Sequence, residues 1–165
     1  MEKIKLVCFG AQTKLIDLAN QLINHETCEI IAFCDNDIDK QGIVWNDLPV
    51  FSTSSLKNIE YDFIIVNAFY SYKVIEQNLI ENGIPDSKIL PLLSLDTLKY
   101  LQFPIKKFPE DTIGKIFLSN PKKINAYIEE FNEVTEKYSK ISPISSSKTV
   151  DFGNYPLVAH AGGGY

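Results

Sequence analysis

The sequence predicts an α/β fold, a parallel sheet with helices on both faces followed by a helical extension. Three observations predict it. Short apolar runs alternate with segments of helical period over residues 1–93. Apart from polar residues near their starts, Lys5 and Glu29 among them, the strand-like runs are apolar, as strands covered on both faces tend to be. After Leu93 the strand pattern gives way to helix signals and proline punctuation.

Each element follows from its residues. Ile4-Lys5-Leu6-Val7-Cys8-Phe9, closed by Gly10, reads as a buried parallel strand. From Gln12 the period is helical, with Leu15, Leu18, Ala19, Leu22 and Ile23 on one stripe. Glu29 to Cys34 is a second strand, ending in Asp35-Asn36-Asp37. Leu48-Pro49-Val50-Phe51 is a weaker one, which Pro49 places at an edge or a strand start. Phe63-Ile64-Ile65-Val66 is the strongest strand signal. It leads into a helix bearing Tyr72, Ile75 and Leu79 on one face and stopped by Asn82-Gly83. Ser87 to Leu92 reads as a last short strand. With right-handed crossovers, the strand beginning at Ile4 is central, flanked by those beginning at Glu29 and Phe63. This is the order of a Rossmann-like unit.

The extension, residues 94–140, opens with a helix over Ser94 to Leu101. Asn120-Pro121 then starts a second helix running to about Tyr138, with Ile124, Tyr127, Ile128, Phe131 and Tyr138 on one stripe. Residues 141–165 read as a serine-rich linker followed by a strand-like run into a glycine loop.

Composition narrows the function. A net charge of −5 disfavours a nucleic-acid partner. No apolar run reaches the roughly 20 residues that span a bilayer, and a strand begins at once after the N-terminus, so the expected location is cytoplasmic. Cys8, Cys28 and Cys34 lack metal-ligand spacing and read as small buried hydrophobes. The helix after Pro121 needs a surface for its apolar face, which makes a homo-oligomer one expected partner.

Ligands of such sheets bind beyond the carboxyl ends of the strands, where strand order reverses. That gathers Gly10–Lys14, Asp35–Asp37 and Asn67–Tyr70 at one crevice, with Gly10, Ala11, Gln12, Lys14, Asp35, Asn36, Asp37, Asn67 and Tyr70 as candidate contacts. Gly10 occupies the first glycine position of a dinucleotide fingerprint, but Gln12 and Leu15 stand where further glycines would be. The helix start still offers free N–H groups and a positive dipole end to an anion, with Lys14 beside it. A plain strand–helix turn with a solvated Lys14 fits the same residues. Asp35 falls 25 residues after Gly10, where an acid reads ribose hydroxyls, although Asp-Asn-Asp is also a turn sequence. On the ribose reading, Asp35→Ala abolishes nucleotide binding and leaves the melting temperature of the free protein nearly unchanged. Asn67 and Ser71 offer hydrogen bonds, and Phe69 or Tyr70 a stacking face.

Several motifs occur in a telling order: Cys8-Phe9-Gly10-Ala11, Ile31-Ala32-Phe33-Cys34-Asp35-Asn36-Asp37, Lys40-Gln41-Gly42, Leu48-Pro49-Val50-Phe51, Tyr61-Asp62-Phe63-Ile64-Ile65-Val66, and Asn82-Gly83-Ile84-Pro85-Asp86-Ser87-Lys88-Ile89. The series resembles the Rossmann-like N-terminal domain of bacterial polysaccharide-biosynthesis proteins, namely nucleotide-sugar epimerase/dehydratase-related proteins and sugar O- and N-acetyltransferases. The resemblance implies a nucleotide or nucleotide-sugar ligand touching the Gly10 loop and Asp35, in cell-surface polysaccharide or capsule metabolism. No Tyr-x-x-x-Lys dyad accompanies it: Tyr70, Tyr72, Tyr100, Tyr127 and Tyr138 all lack a lysine four residues later.

Leu157-Val158-Ala159-His160-Ala161-Gly162-Gly163 resembles the first barrel strand of glycerophosphodiester phosphodiesterase-like proteins, with His160 and Gly162 matching and Ala161 replacing an arginine. The resemblance implies the start of a TIM-barrel domain, and so a chain that is the front piece of a longer protein. The expected function is a nucleotide or nucleotide-sugar binding module of a multidomain protein, not catalytic by itself. The parent would be a sugar-modifying enzyme or a phosphodiesterase-like hydrolase. Two alternatives stay open: a small NAD-dependent nucleotide-sugar oxidoreductase or epimerase, and a degenerate unit with an assembly role.

Overall fold

The structure is a computed structural model and describes residues 2–68, 70–101 and 105–141. In chain order the elements are β1 (Ile4–Phe9), α1 (Thr13–Leu22), β2 (Cys28–Cys34), β3 (Val44–Trp45), β4 (Leu48–Phe51), β5 (Phe63–Val66), α2 (Tyr72–Glu81), β6 (Ile89–Pro91), α3 (Leu95–Leu98), α4 (Glu110–Ile116) and α5 (Pro121–Ile141). Short 3₁₀ turns at Thr53–Asn58 and Asp86–Lys88 precede β5 and β6. The sheet order is β3-β4-β2-β1-β5-β6, with only the β3–β4 pair antiparallel. As expected, β1 is central between β2 and β5. The crossovers from β1 and from β5 run in opposite directions, so right-handedness puts α1 and α2 on opposite faces.

Three details depart from the sequence expectations. The sheet is not wholly parallel, because Val44-Trp45 folds back on Leu48-Pro49 through Asn46 and Asp47, both at positive φ (54° and 65°), as a two-residue hairpin requires. This hairpin makes β4 the penultimate strand. Pro49 is tolerated because the hydrogen bonds there pass through Val50, which donates to Ile43 O and accepts from Gly42 N. The final strand is Ile89–Pro91 rather than 87–92, since Asp86–Lys88 winds into 3₁₀ geometry. The buried stripe of α1 is centred on Ile16, Ala19 and Ile23, with Leu15, Leu18 and Leu22 only half-buried.

In the β1–β2 register Leu6 faces Ile30 while Val7 faces Ala32, so β2 carries one extra residue, Ile31, at a bulge. Past a bulge every side chain of the strand is turned to the opposite face relative to an unbroken strand. Phe33 and the following Asp35 are among the residues so placed.

The extension contains more helix than its pattern announced. The helix expected over 94–101 is a single turn, Leu95–Leu98, held by a capping box in which Ser94 and Thr97 cap each other. An unexpected helix, α4, follows Pro109. α5 begins as predicted: the Asn120 side chain accepts from the amides of Lys122 and Lys123, and Pro121 takes the first helical position. Ile113, Ile116, Phe117, Ile124 and Ile128 share one continuous core with the sheet. Two asparagines of α5 fix the preceding segment. Asn125 exchanges bonds with both backbone groups of Phe108, and Asn132 does the same with Ile105. All three cysteines are buried and unbridged. The serine-rich linker and the His160 segment lie outside the described residues.

Candidate functional site

β1 ends at the sheet's switch point, and the chain must turn sharply there to start α1. Gly10 makes the turn at φ +110°, donating to Cys34 O at 2.8 Å. That conformation is strained for any residue with a Cβ. The next amide, Ala11 N–H, donates to the Asp35 carboxylate at 2.9 Å. Gln12 takes the N-cap position in extended geometry, with no side-chain cap bond. The first N–H groups of α1 have no intrahelical partner by construction. Thr13 and Lys14 are exposed, and no acidic residue sits in the first turn to neutralise the dipole end.

Asp35 is only 2% exposed, and both its oxygens are engaged by the protein. One accepts from Ala11 N–H, the other from Asp37 N–H at 2.8 Å. Lys40 leans over the same loop, its Nζ 3.8 Å from the Asp35 carboxylate and donating to Ala11 O at 3.1 Å. Gln41 donates to Asp35 O. The carboxylate thus ties the β1–α1 turn to the β2 loop. Asn36 is exposed and ties that loop onward, accepting from Thr53 Oγ1 at 2.8 Å and donating to Asn78. Asp37 is exposed and caps its own turn through Asp39 N–H.

Asn67, the first residue past β5, has a fully buried side chain, and neither amide atom has a hydrogen-bond partner among the described residues. A native side chain left in this state is costly and calls for an explanation. Beside it lies the Cys8 thiol, which burial pushes up to about 12, the neighbouring Asn67 side chain pulling the other way without reaching hydrogen-bond geometry. Tyr70 is half-buried and meets Tyr100 edge to face at 6.4 Å. Ser71 is buried at the start of α2. Phe69 lies outside the described residues.

The structure therefore brings Gly10, Ala11, Gln12 and Asp35 into one turn, with Asn67 on the adjoining strand, whose amide N–H donates to Phe9 O. Lys14, Asn36 and Asp37 stand on the rim. Lys40 and Gln41 are additional members that pattern reasoning passed over. Their roles depend on a loop closing back on Gly10 and Asp35, which no local periodicity announces. Among the described residues no cluster of three or more histidine, cysteine or acidic side chains forms a metal site, and no helix is long and apolar enough to cross a membrane.

Comparison with known proteins adds three findings. Residues 2–90, more than half of the chain, match the family model described as C2185-like, N-terminal. No curated protein matches. Among solved structures the chain is similar to UDP-D-quinovosamine 4-dehydrogenase from Vibrio fischeri, with 23% identity, a TM-score of 0.43, and coverage of 59% of this chain and 84% of that one. It is also similar to RSP, a Rex-family repressor, with 13% identity, a TM-score of 0.41, and coverage of 58% and 55%.

Proposed function

The chain belongs to the C2185-like N-terminal family, and from its crevice geometry we propose that it is a nucleotide or nucleotide-sugar binding module, without turnover of its own. Cell-surface polysaccharide metabolism is the setting we propose for it. One observation carries the reading. A helix start free of any side-chain cap and of acidic residues lies next to a buried, unpartnered asparagine at the sheet's switch point. In this reading the amides after Gln12 seat a phosphate, Lys14 adds charge at the rim, and the Asn67 amide turns toward the polar part of the ligand. Tyr70 offers its ring to the base or sugar. Asp35 positions the loop through Ala11 and does not itself face the ligand.

The test is a thermal-shift series with UDP-sugars, CMP-sugars, NAD and CoA. A ligand at about 100 times its Kd adds about 2.7 kcal/mol to stability. Stabilisation by a nucleotide-sugar is the expected result, and stabilisation by NAD alone would overturn it. In Asn67→Ala the shift should vanish while the free protein keeps its stability, because the lost amide had no partner to lose. A second reading rests on Asp35, whose oxygens are filled by the protein itself. A turn so self-sufficient suits a unit that keeps the fold for assembly alone, and a flat response to every nucleotide would select it.

A further inference from the structure

The exposed side of α5 is the feature that the nucleotide reading leaves unused. The helix carries two apolar faces. One, with Ile124 and Ile128, is fully buried against the chain's own core, and Asn125 and Asn132 extend it. The second is formed by Tyr127, Phe131, Val134 and Tyr138. Tyr127 and Phe131 are half-buried, Val134 is 61% exposed and Tyr138 58% exposed. These four residues follow steps of four, three and four, the spacing of a coiled-coil seam. A shallow groove of about 240 Å³, lined by Tyr127, Glu130, Phe131 and Val134, indents this face.

We propose that this face is where a second copy of the chain docks, the two α5 helices crossing antiparallel. Charge selects both the occupant and the direction. Setting Phe131 of each copy against Val134 of the other brings Tyr127 opposite Tyr138. The exposed residues flanking this seam on its outer side are Glu130 and Lys137. In the antiparallel register each Glu130 meets the other copy's Lys137, giving two opposite-charge pairs across the two-fold axis. A parallel, in-register pair has no such match, because Glu130 then meets Thr135. The inner flank, Ile128 and Thr135, is turned toward the chain's own body. The proposal stands independently of the nucleotide reading, since none of these residues belongs to the crevice.

The test is sedimentation equilibrium or light scattering on the full chain from about 1 to 200 µM, with circular dichroism to confirm folding. The wild type should reach about twice the 18.7 kDa chain mass. Val134→Asp alters an exposed side chain and should leave a folded monomer. Glu130→Lys should raise the dimer Kd about tenfold, by turning two attractions into two repulsions. Glu130→Lys combined with Lys137→Glu should restore the wild-type Kd. A wild type that stays monomeric throughout, or a dimer indifferent to Val134→Asp, overturns the proposal. Failure of the charge swap to restore association overturns the antiparallel register.

Discussion

Replacing Asp35 separates the structural account from the expectation raised by the sequence alone. The buried carboxylate accepts two backbone N–H groups and faces Lys40. In Asp35→Ala the Ala11 N–H loses its acceptor at a residue only 5% exposed, where water cannot readily replace it. An orphaned buried donor costs about 1–3 kcal/mol. Asp37 is exposed, so its amide turns to water, and that charge-assisted bond accounts for about 1 kcal/mol more. The 3.8 Å pair with Lys40, which is 29% exposed, adds a fraction of 1 kcal/mol after screening. The sum is about 3 kcal/mol. For a chain of this size that is a fall in melting temperature of about 6–12 °C, at about 2–4 °C per kcal/mol. Asp35→Asn should fall in between, keeping one acceptor of two. Lys40→Met should cost under about 1 kcal/mol. Melting curves of the three ligand-free variants decide the matter. An Asp35→Ala protein melting within about 2 °C of the wild type would refute the view that this carboxylate ties down the Gly10 turn.

Four further outcomes follow from other features of the fold. Asn125→Ala and Asn132→Ala should each cost about 1–2 kcal/mol and speed amide hydrogen exchange at Phe108 and Ile105 respectively, each leaving the other site protected. Burial holds the Cys8 and Cys34 thiols up at about 12 and raises that of Cys28. A thiol reagent at pH 8 should therefore label none of the three in the folded protein and all three in denaturant. Because these groups bind protons more tightly folded than unfolded, their contribution is complete below the ordinary thiol value of 9.0. It drains away as pH climbs from there toward about 12, which urea titrations at pH 8 and 10.5 will show as a falling stability. Gly83→Ala meets no atom within 4 Å but forces a Cβ onto φ +89°, so it should cost about 1 kcal/mol through backbone strain alone.

The elements that the sequence disclosed are those with a repeating pattern or a local stop signal. Leu6–Phe9 of β1, Ala32–Cys34 of β2 and Ile64–Val66 of β5 are buried on both faces and so spell apolar runs without interruption. α2 and α5 carry period and punctuation together, with Gly83 at one end of the first and Asn120-Pro121 opening the second. What escaped was too short to repeat, as with β3, or depended on distant partners. Ile16 of α1 lies off the stripe read from the sequence, because its burial depends on how the helix rolls onto the sheet. The site divides in the same way. The Gly10 turn and the Asn67 position follow from strand ends, whereas Lys40 joins the site across 29 residues through Ala11 O. The place of Asp35 follows from the end of β2, but the direction of its carboxylate depends on the turn it grips.

The extra residue in β2 sets the phase of that strand. Upstream of Ile31 the strand is in step with β1 by its Cys28 and Ile30 pairings, and downstream it is in step through Ala32, Phe33 and Cys34. One residue of chain length thus acts as a half-turn coupling between the half-exposed start of the strand and the buried end that leads to the crevice. Side chains along β2 can be exchanged one at a time and repacked. Its length cannot change, because removing Ile31 would turn Ala32, Phe33 and Cys34, the buried half of the strand, to the wrong faces and swing Asp35 away from the Ala11 amide.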